Sequence, residues 1–98
     1  MIEKDYTKTG RSCRVTFQLL PEVDAETAYL VGEFNDWDTT SHPMRRSKDG
    51  SFKLTLSLKP GHTYGFRYLL DGNRWTNDGL ADAYRPNPFG GEDSIVQV

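Results

Sequence analysis

The chain has 98 residues, enough for one hydrophobic core and too few for two. Hydrophobic residues are 36% of it and charged residues 27%, with a mean hydropathy of −0.68, so burial must lean on five Phe, five Tyr and two Trp. Twelve basic against fourteen acidic residues leave a net charge of −2, which argues against a strong binder of phosphate backbones. No apolar run approaches the roughly 20 residues that a bilayer-spanning helix needs. Met1-Ile2-Glu3-Lys4-Asp5 lacks the apolar stretch of a secretory leader, so the expected setting is cytoplasmic, away from any membrane.

In chain order, residues 1–10 are polar and read as a flexible N-terminal arm or an added edge segment, ahead of one domain over 11–98. Arg14–Leu19 alternates, with Val15, Phe17 and Leu19 pointing one way. Glu22–Thr27 is the one stretch with helical character. Ala28–Phe34 reads as a strand with Ala28, Leu30 and Phe34 inward, leaving Tyr29 and Val31 on the other face. A short strand is expected around Met44–Ser47. Ser51–Leu58 alternates cleanly, with Phe52, Leu54, Leu56 and Leu58 inward, and Pro60-Gly61 marks a turn. Thr63–Leu70 follows, with Tyr64, Phe66, Tyr68 and Leu70 on the core face and Gly65 and Arg67 opposite. Residues 77–93 hold two Pro, three Gly, Leu80, Tyr84 and Phe89, which predicts an ordered loop without a regular element. Ile95–Val98 closes the chain as a last strand. Strands at this spacing predict an all-β, antiparallel sandwich of six or seven strands.

Chemistry concentrates beside the turns. Trp37 stands just past a strand end, among Asn35, Asp36 and Asp38, and Trp75 stands beside Asp71-Gly72-Asn73. Indoles placed there can stack on the apolar faces of sugar rings while neighbouring amides and guanidinium groups bond the hydroxyl edges. They can equally plug the ends of a thin sandwich. Arg67 lies mid-strand off the core face, one turn away from Trp75, and its fork can donate to vicinal hydroxyls.

Tyr29-Leu30-Val31-Gly32-Glu33-Phe34-Asn35-Asp36-Trp37 resembles the G-x-F-N-x-W element of carbohydrate-binding module family 48. Phe66-Arg67-Tyr68-Leu69-Leu70-Asp71-Gly72, followed by Trp75, resembles its second element, and Ser94–Val98 its last strand. The family includes the glycogen-binding domain of the AMP-activated protein kinase beta subunit and the N-terminal early-set domains of isoamylases and branching enzymes. The resemblance spans roughly Cys13–Val98. It implies an immunoglobulin-like, early-set sandwich of about seven strands. It also implies non-catalytic binding of α-1,4-linked glucan: Trp37 and Trp75 stacking, Arg67 donating, and Asn35, Asn77 and Phe89 framing the edge. At two of the family's loop contacts this chain departs from the pattern, with Gly91 lacking a side chain and Asp93 standing in an amide position. An ionised Asp accepts hydrogen bonds but donates none.

Other chemistries find less support. His42 and His62 are not at metal-ligand spacing, and the single Cys13 excludes an intramolecular disulfide and a multi-cysteine metal site, so no metal and no cofactor is expected. Loop carboxylates such as Asp36, Asp38 and Asp71 are ordinary turn formers, and a small sandwich offers no obvious cleft for a glycosidase pair. Any kinship with glycoside hydrolase family 13 would reflect a neighbouring domain. Arg45-Arg46 is too short for a nucleic-acid track, so no nucleic-acid partner is expected. The rival to sugar binding is a protein-interaction module that has lost it, with a glycogen-metabolising enzyme as partner. The altered Gly91 and Asp93 positions motivate it, and burial of both Trp37 and Trp75 would favour it.

Overall fold

Alternation along the chain becomes a two-sheet sandwich in the computed structural model, which describes residues 2–98. The strands are β1 (Ile2–Tyr6), β2 (Cys13–Leu19), β3 (Ala28–Gly32), β4 (Arg45–Arg46), β5 (Phe52–Leu58), β6 (Thr63–Leu70), β7 (Arg74–Thr76), β8 (Ala83–Pro86) and β9 (Glu92–Gln97). One sheet has the order β1-β2-β5-β4; the other has β3-β6-β9-β8, with β7 also paired to β6. All pairings are antiparallel. The expected all-β, immunoglobulin-like sandwich is the observed fold, with nine strands where about seven were expected.

The inward sets are those the alternation dictates. Val15, Phe17 and Leu19 face Leu30, Phe66, Tyr68, Leu70 and Val96 across the sandwich, all buried in one cluster. Phe17 of the first sheet meets Phe66 of the second edge-on at 5.1 Å, and Phe66 meets Tyr68 at 5.6 Å. Edge-to-face pairs of this kind add about 1 kcal/mol each beyond the area they bury.

Several boundaries differ from expectation. Residues 2–6 pair with β2 as an edge strand, the second of the two readings for the N-terminal segment; Met1 lies outside the described residues. Lys4 reaches across to Asp82 at 2.7 Å. The helical character near Glu22 shrinks to a single 3-10 turn at Pro21–Val23, because Pro21 opens it and Asp24 leaves it with φ 49°. The strand from Ala28 stops at Gly32, and Phe34 sits in a 3-10 turn, Glu33–Asn35, still packed against the core. The 77–93 segment does contain a regular element, β8, as an edge strand with Pro86 at its end. Proline is tolerated there because no inner ladder needs its N–H. The last strand begins earlier than expected, at Glu92.

One feature of β6 prepares the site. Its edge away from β3 is shared: β9 pairs with Thr63–Phe66 and β7 with Tyr68–Leu70. Arg67 falls at the junction, opposite Val31 of β3.

Candidate functional site

The outward face of the β3-β6-β9-β8 sheet carries an open cleft of about 660 Å³. Val31, Glu33, Trp37, Thr39, Arg67, Trp75, Arg85, Asn87, Pro88, Phe89 and Asp93 line it. Four segments distant in sequence therefore converge where β7 and β9 part.

Each aromatic is placed by a different local device. Gly32 ends β3, and Asn35 closes the following turn: its Oδ1 accepts the Gly32 N–H at 3.1 Å, and its Nδ2 donates to the Leu30 carbonyl at 3.0 Å. Because Nδ2 is thus fixed as donor, His42 Nδ1, 2.8 Å away, is the acceptor. Asp36 and Trp37 then adopt the left-handed region, φ 54° and 58°, and the Trp37 N–H donates to the Gly32 carbonyl at 2.8 Å. This conformation costs about 1–2 kcal/mol per non-glycine residue, and it turns the indole out over Val31. Trp75 is set by the β6–β7 hairpin, in which it opposes Leu69. Phe89 rides on a loop closed by Asn87, whose Oδ1 accepts the N–H groups of Phe89 (3.0 Å) and Gly91 (3.1 Å).

Trp37 is 37% exposed, Trp75 44% and Phe89 93%. The Arg67 guanidinium lies 5.5 Å from the centroid of the Trp75 ring, a cation–π contact that orients both groups. Arg67 Nε is buried and, among the described residues, has no hydrogen-bond partner.

The structure brings Trp37, Arg67, Trp75 and Phe89 to one cleft and leaves Asn35 and Asn77 out of its lining. Asn35 is consumed by its own turn. Asn77 donates to the Glu92 carbonyl at 2.9 Å and accepts from Ser94 Oγ at 3.0 Å, which ties the loop after β7 to β9. Their amides hold local structure, Asn35 in its own turn and Asn77 between the loop and β9.

Glu33, Arg85 and Asn87 were not singled out from the sequence. Glu33 Oε1 accepts the Gly65 N–H and pairs with Arg85 Nη2 at 3.0 Å. Burial pushes the Glu33 carboxyl up, but the Gly65 N–H and Arg85 together outweigh it and hold the group below the usual carboxylate range. Arg85 Nη2 also lies 3.9 Å from Asp93, which accepts from Asn87 Nδ2 at 3.1 Å. The available signal was Gly65, a glycine in mid-strand, which marks a close approach by another group. A Cβ there would stand 2.6 Å from Arg85 Nη2 and 2.9 Å from Glu33 Oε1.

An immunoglobulin-like sandwich with paired indoles and a guanidinium along one open face is the form of a carbohydrate-binding module. The chain belongs to the family described as the glycogen recognition site of AMP-activated protein kinase, which matches residues 15–88. It is similar to 1,4-alpha-glucan-branching enzyme of Saccharomyces cerevisiae, 50% identical over 38 residues, covering 38% of this chain and 5% of that protein. It is also similar to Protein FLOURY ENDOSPERM 6, chloroplastic, of Oryza sativa subsp. japonica, 36% identical over 74 residues, covering 76% of this chain and 13% of that protein. Protein PTST homolog 2, chloroplastic, of Arabidopsis thaliana is 36% identical over 56 residues, covering 57% of this chain and 10% of that protein. The matches thus span a small part of each relative. Among the described residues no helix is long and apolar enough to cross a membrane.

Proposed function

We propose that this chain binds α-1,4-linked glucan, such as glycogen or maltodextrin, without catalysing a reaction on it. Trp37 and Trp75 stack on glucose rings, Arg67 donates to their hydroxyls, and Phe89 packs against the edge of the chain. The observation that carries this reading is the convergence of two solvent-open indoles and the Arg67 guanidinium, held over Trp75, on one cleft. Burial of both indoles would have favoured the rival protein-docking reading, and both are open.

A non-catalytic role is supported by the state of the cleft carboxylates. A glycosidase needs one carboxylic acid kept protonated near neutral pH to donate to the leaving group. Glu33 is shifted the opposite way and is ionised, tied to Arg85 and Gly65. The module then serves to hold an attached or associated glycogen-metabolising enzyme on its polymer.

Titration with maltoheptaose, followed by tryptophan fluorescence and amide chemical shifts, tests the proposal. Saturable, weak binding is expected, little changed by high salt because stacking and neutral hydroxyls carry it. Trp37→Ala and Trp75→Ala should each weaken it at least tenfold. Absence of any response at millimolar sugar, or unaltered binding in both variants, overturns the assignment.

A further inference from the structure

Glu33 and Arg85 stand side by side in the cleft wall with unused hydrogen-bonding capacity. Among the described residues, the hydrogen bonds and ion pairs of Arg85 run through Nη2, which leaves Nε and Nη1 as donors, and its side chain is 48% exposed. Among the described residues, Glu33 is bonded through Oε1, which leaves Oε2 as an acceptor on a side chain 42% exposed. The Gly65 notch admits both groups against β6, and β8 and the turn after β3 hold them from opposite sides.

We infer that the Glu33–Arg85 pair is a further sugar-contact site, reading the vicinal hydroxyls of a glucosyl unit next to those stacked on the tryptophans. A diol both donates and accepts, and a carboxylate beside a guanidinium offers the complementary acceptor and donors in fixed register. The two charges cancel, and Asp93 adds a second carboxylate 3.9 Å from the same Nη2, so the wall selects a neutral polyol over a phosphate or an acidic peptide. Arg85 reaches the cleft from a strand separate from β6 and β7, which bear Arg67 and Trp75. The pair therefore lengthens the binding surface along the chain direction, and affinity rises with oligosaccharide length until the wall is covered.

The inference rests on the glucan reading, and the test separates the two. Maltose, maltotriose and maltoheptaose are titrated by calorimetry into the unaltered chain, Glu33→Gln, Arg85→Gln and Trp75→Ala, with thermal melts to establish that each variant is folded. Glu33→Gln and Arg85→Gln should lower maltoheptaose affinity roughly tenfold, the scale of one charge-assisted hydrogen bond, while maltose binding stays as it was. A merely structural role would weaken all three sugars together, and that result overturns the inference. So does maltoheptaose binding unchanged in both variants while Trp75→Ala abolishes it, which leaves the tryptophan platform standing. If the unaltered chain binds no sugar in the series, the platform and the wall fall together.

Discussion

Two glycines show how little room separates the core from the site. A Cβ at Gly32 would lie 2.6 Å from the Gly65 carbonyl oxygen and 2.8 Å from Phe66 Cβ, groups fixed by the β3–β6 ladder. Its φ of −169° is ordinary extended backbone, so the collision alone forbids a side chain. At Gly65 the obstructing atoms are the tips of Arg85 and Glu33, which can swing aside. Gly32→Ala should accordingly lose about 1–3 kcal/mol, the usual cost of overpacking, read as a lowered urea midpoint with an unchanged slope. Gly65→Ala should lose less. Trp37 illustrates the other limit of residue-level reading. Its turn composition suggested an indole near solvent, yet nothing in Asn35-Asp36-Trp37 announced two consecutive left-handed residues. That conformation is held by the distant His42 and by the Leu30 carbonyl. Strain of this kind concentrates where a side chain must be presented.

At the scale of elements, the strands that alternate over five residues or more were legible, because a period of two needs no knowledge of the partner. β7 and β8 were not. Arg74–Thr76 is too short to show a period, and Ala83–Pro86 ends in a residue that ordinarily argues against a strand. Both exist because β6 and β9 offer them an edge. The loop between them is anchored by Asp78, 2% exposed, which accepts from the fully buried Tyr68 hydroxyl at 2.8 Å and from the Leu80 N–H at 2.8 Å. The Asp78 backbone is held too, its N–H by Ser94 Oγ at 2.9 Å and its carbonyl by the Tyr84 hydroxyl at 2.6 Å. Burial, and then the Asp78 charge, raise the Tyr68 phenol well above its ordinary value. Tyr68→Phe withdraws one bond from a buried carboxylate and should cost about 1–3 kcal/mol. Hydrogen exchange at Leu80 and Asp82 should accelerate more than exchange in β2. Equal acceleration in both would mean that Asp78 does not anchor the loop. For the same reason Glu33 and Arg85 escaped a reading of the sequence: 52 residues separate them, and only β8, paired to β9, brings them together.

Across the whole molecule, carboxylates tie the parts together. Asp82 is pushed up by burial, but Lys4 and the Gln97 N–H outweigh that and leave it below its ordinary 3.8. Asp71 is lowered first by the N–H groups of Thr27 and Glu26, and Glu33 lies below its ordinary 4.5. With folded values depressed, the unfolded chain takes up protons first on acidification. The stabilisation is therefore present above about pH 4.5 and is lost as pH falls through the folded values. Urea midpoints should be flat from neutrality to that point and drop below it, and Asp82→Asn should remove part of the drop. A midpoint that stays level to strong acid would mean that these contacts do not hold the fold. The shared edge of β6 has a different consequence. Trp75 faces the cleft only because a three-residue strand meets β6 in one alignment, set by the Asp71-Gly72-Asn73 connection. Adding or deleting one residue in that connection would slide the pairing by a single step and turn the indole to the opposite side of the sheet. An indel in a surface turn would therefore take Trp75 out of the proposed glucan surface while leaving every residue of the cleft unchanged in sequence.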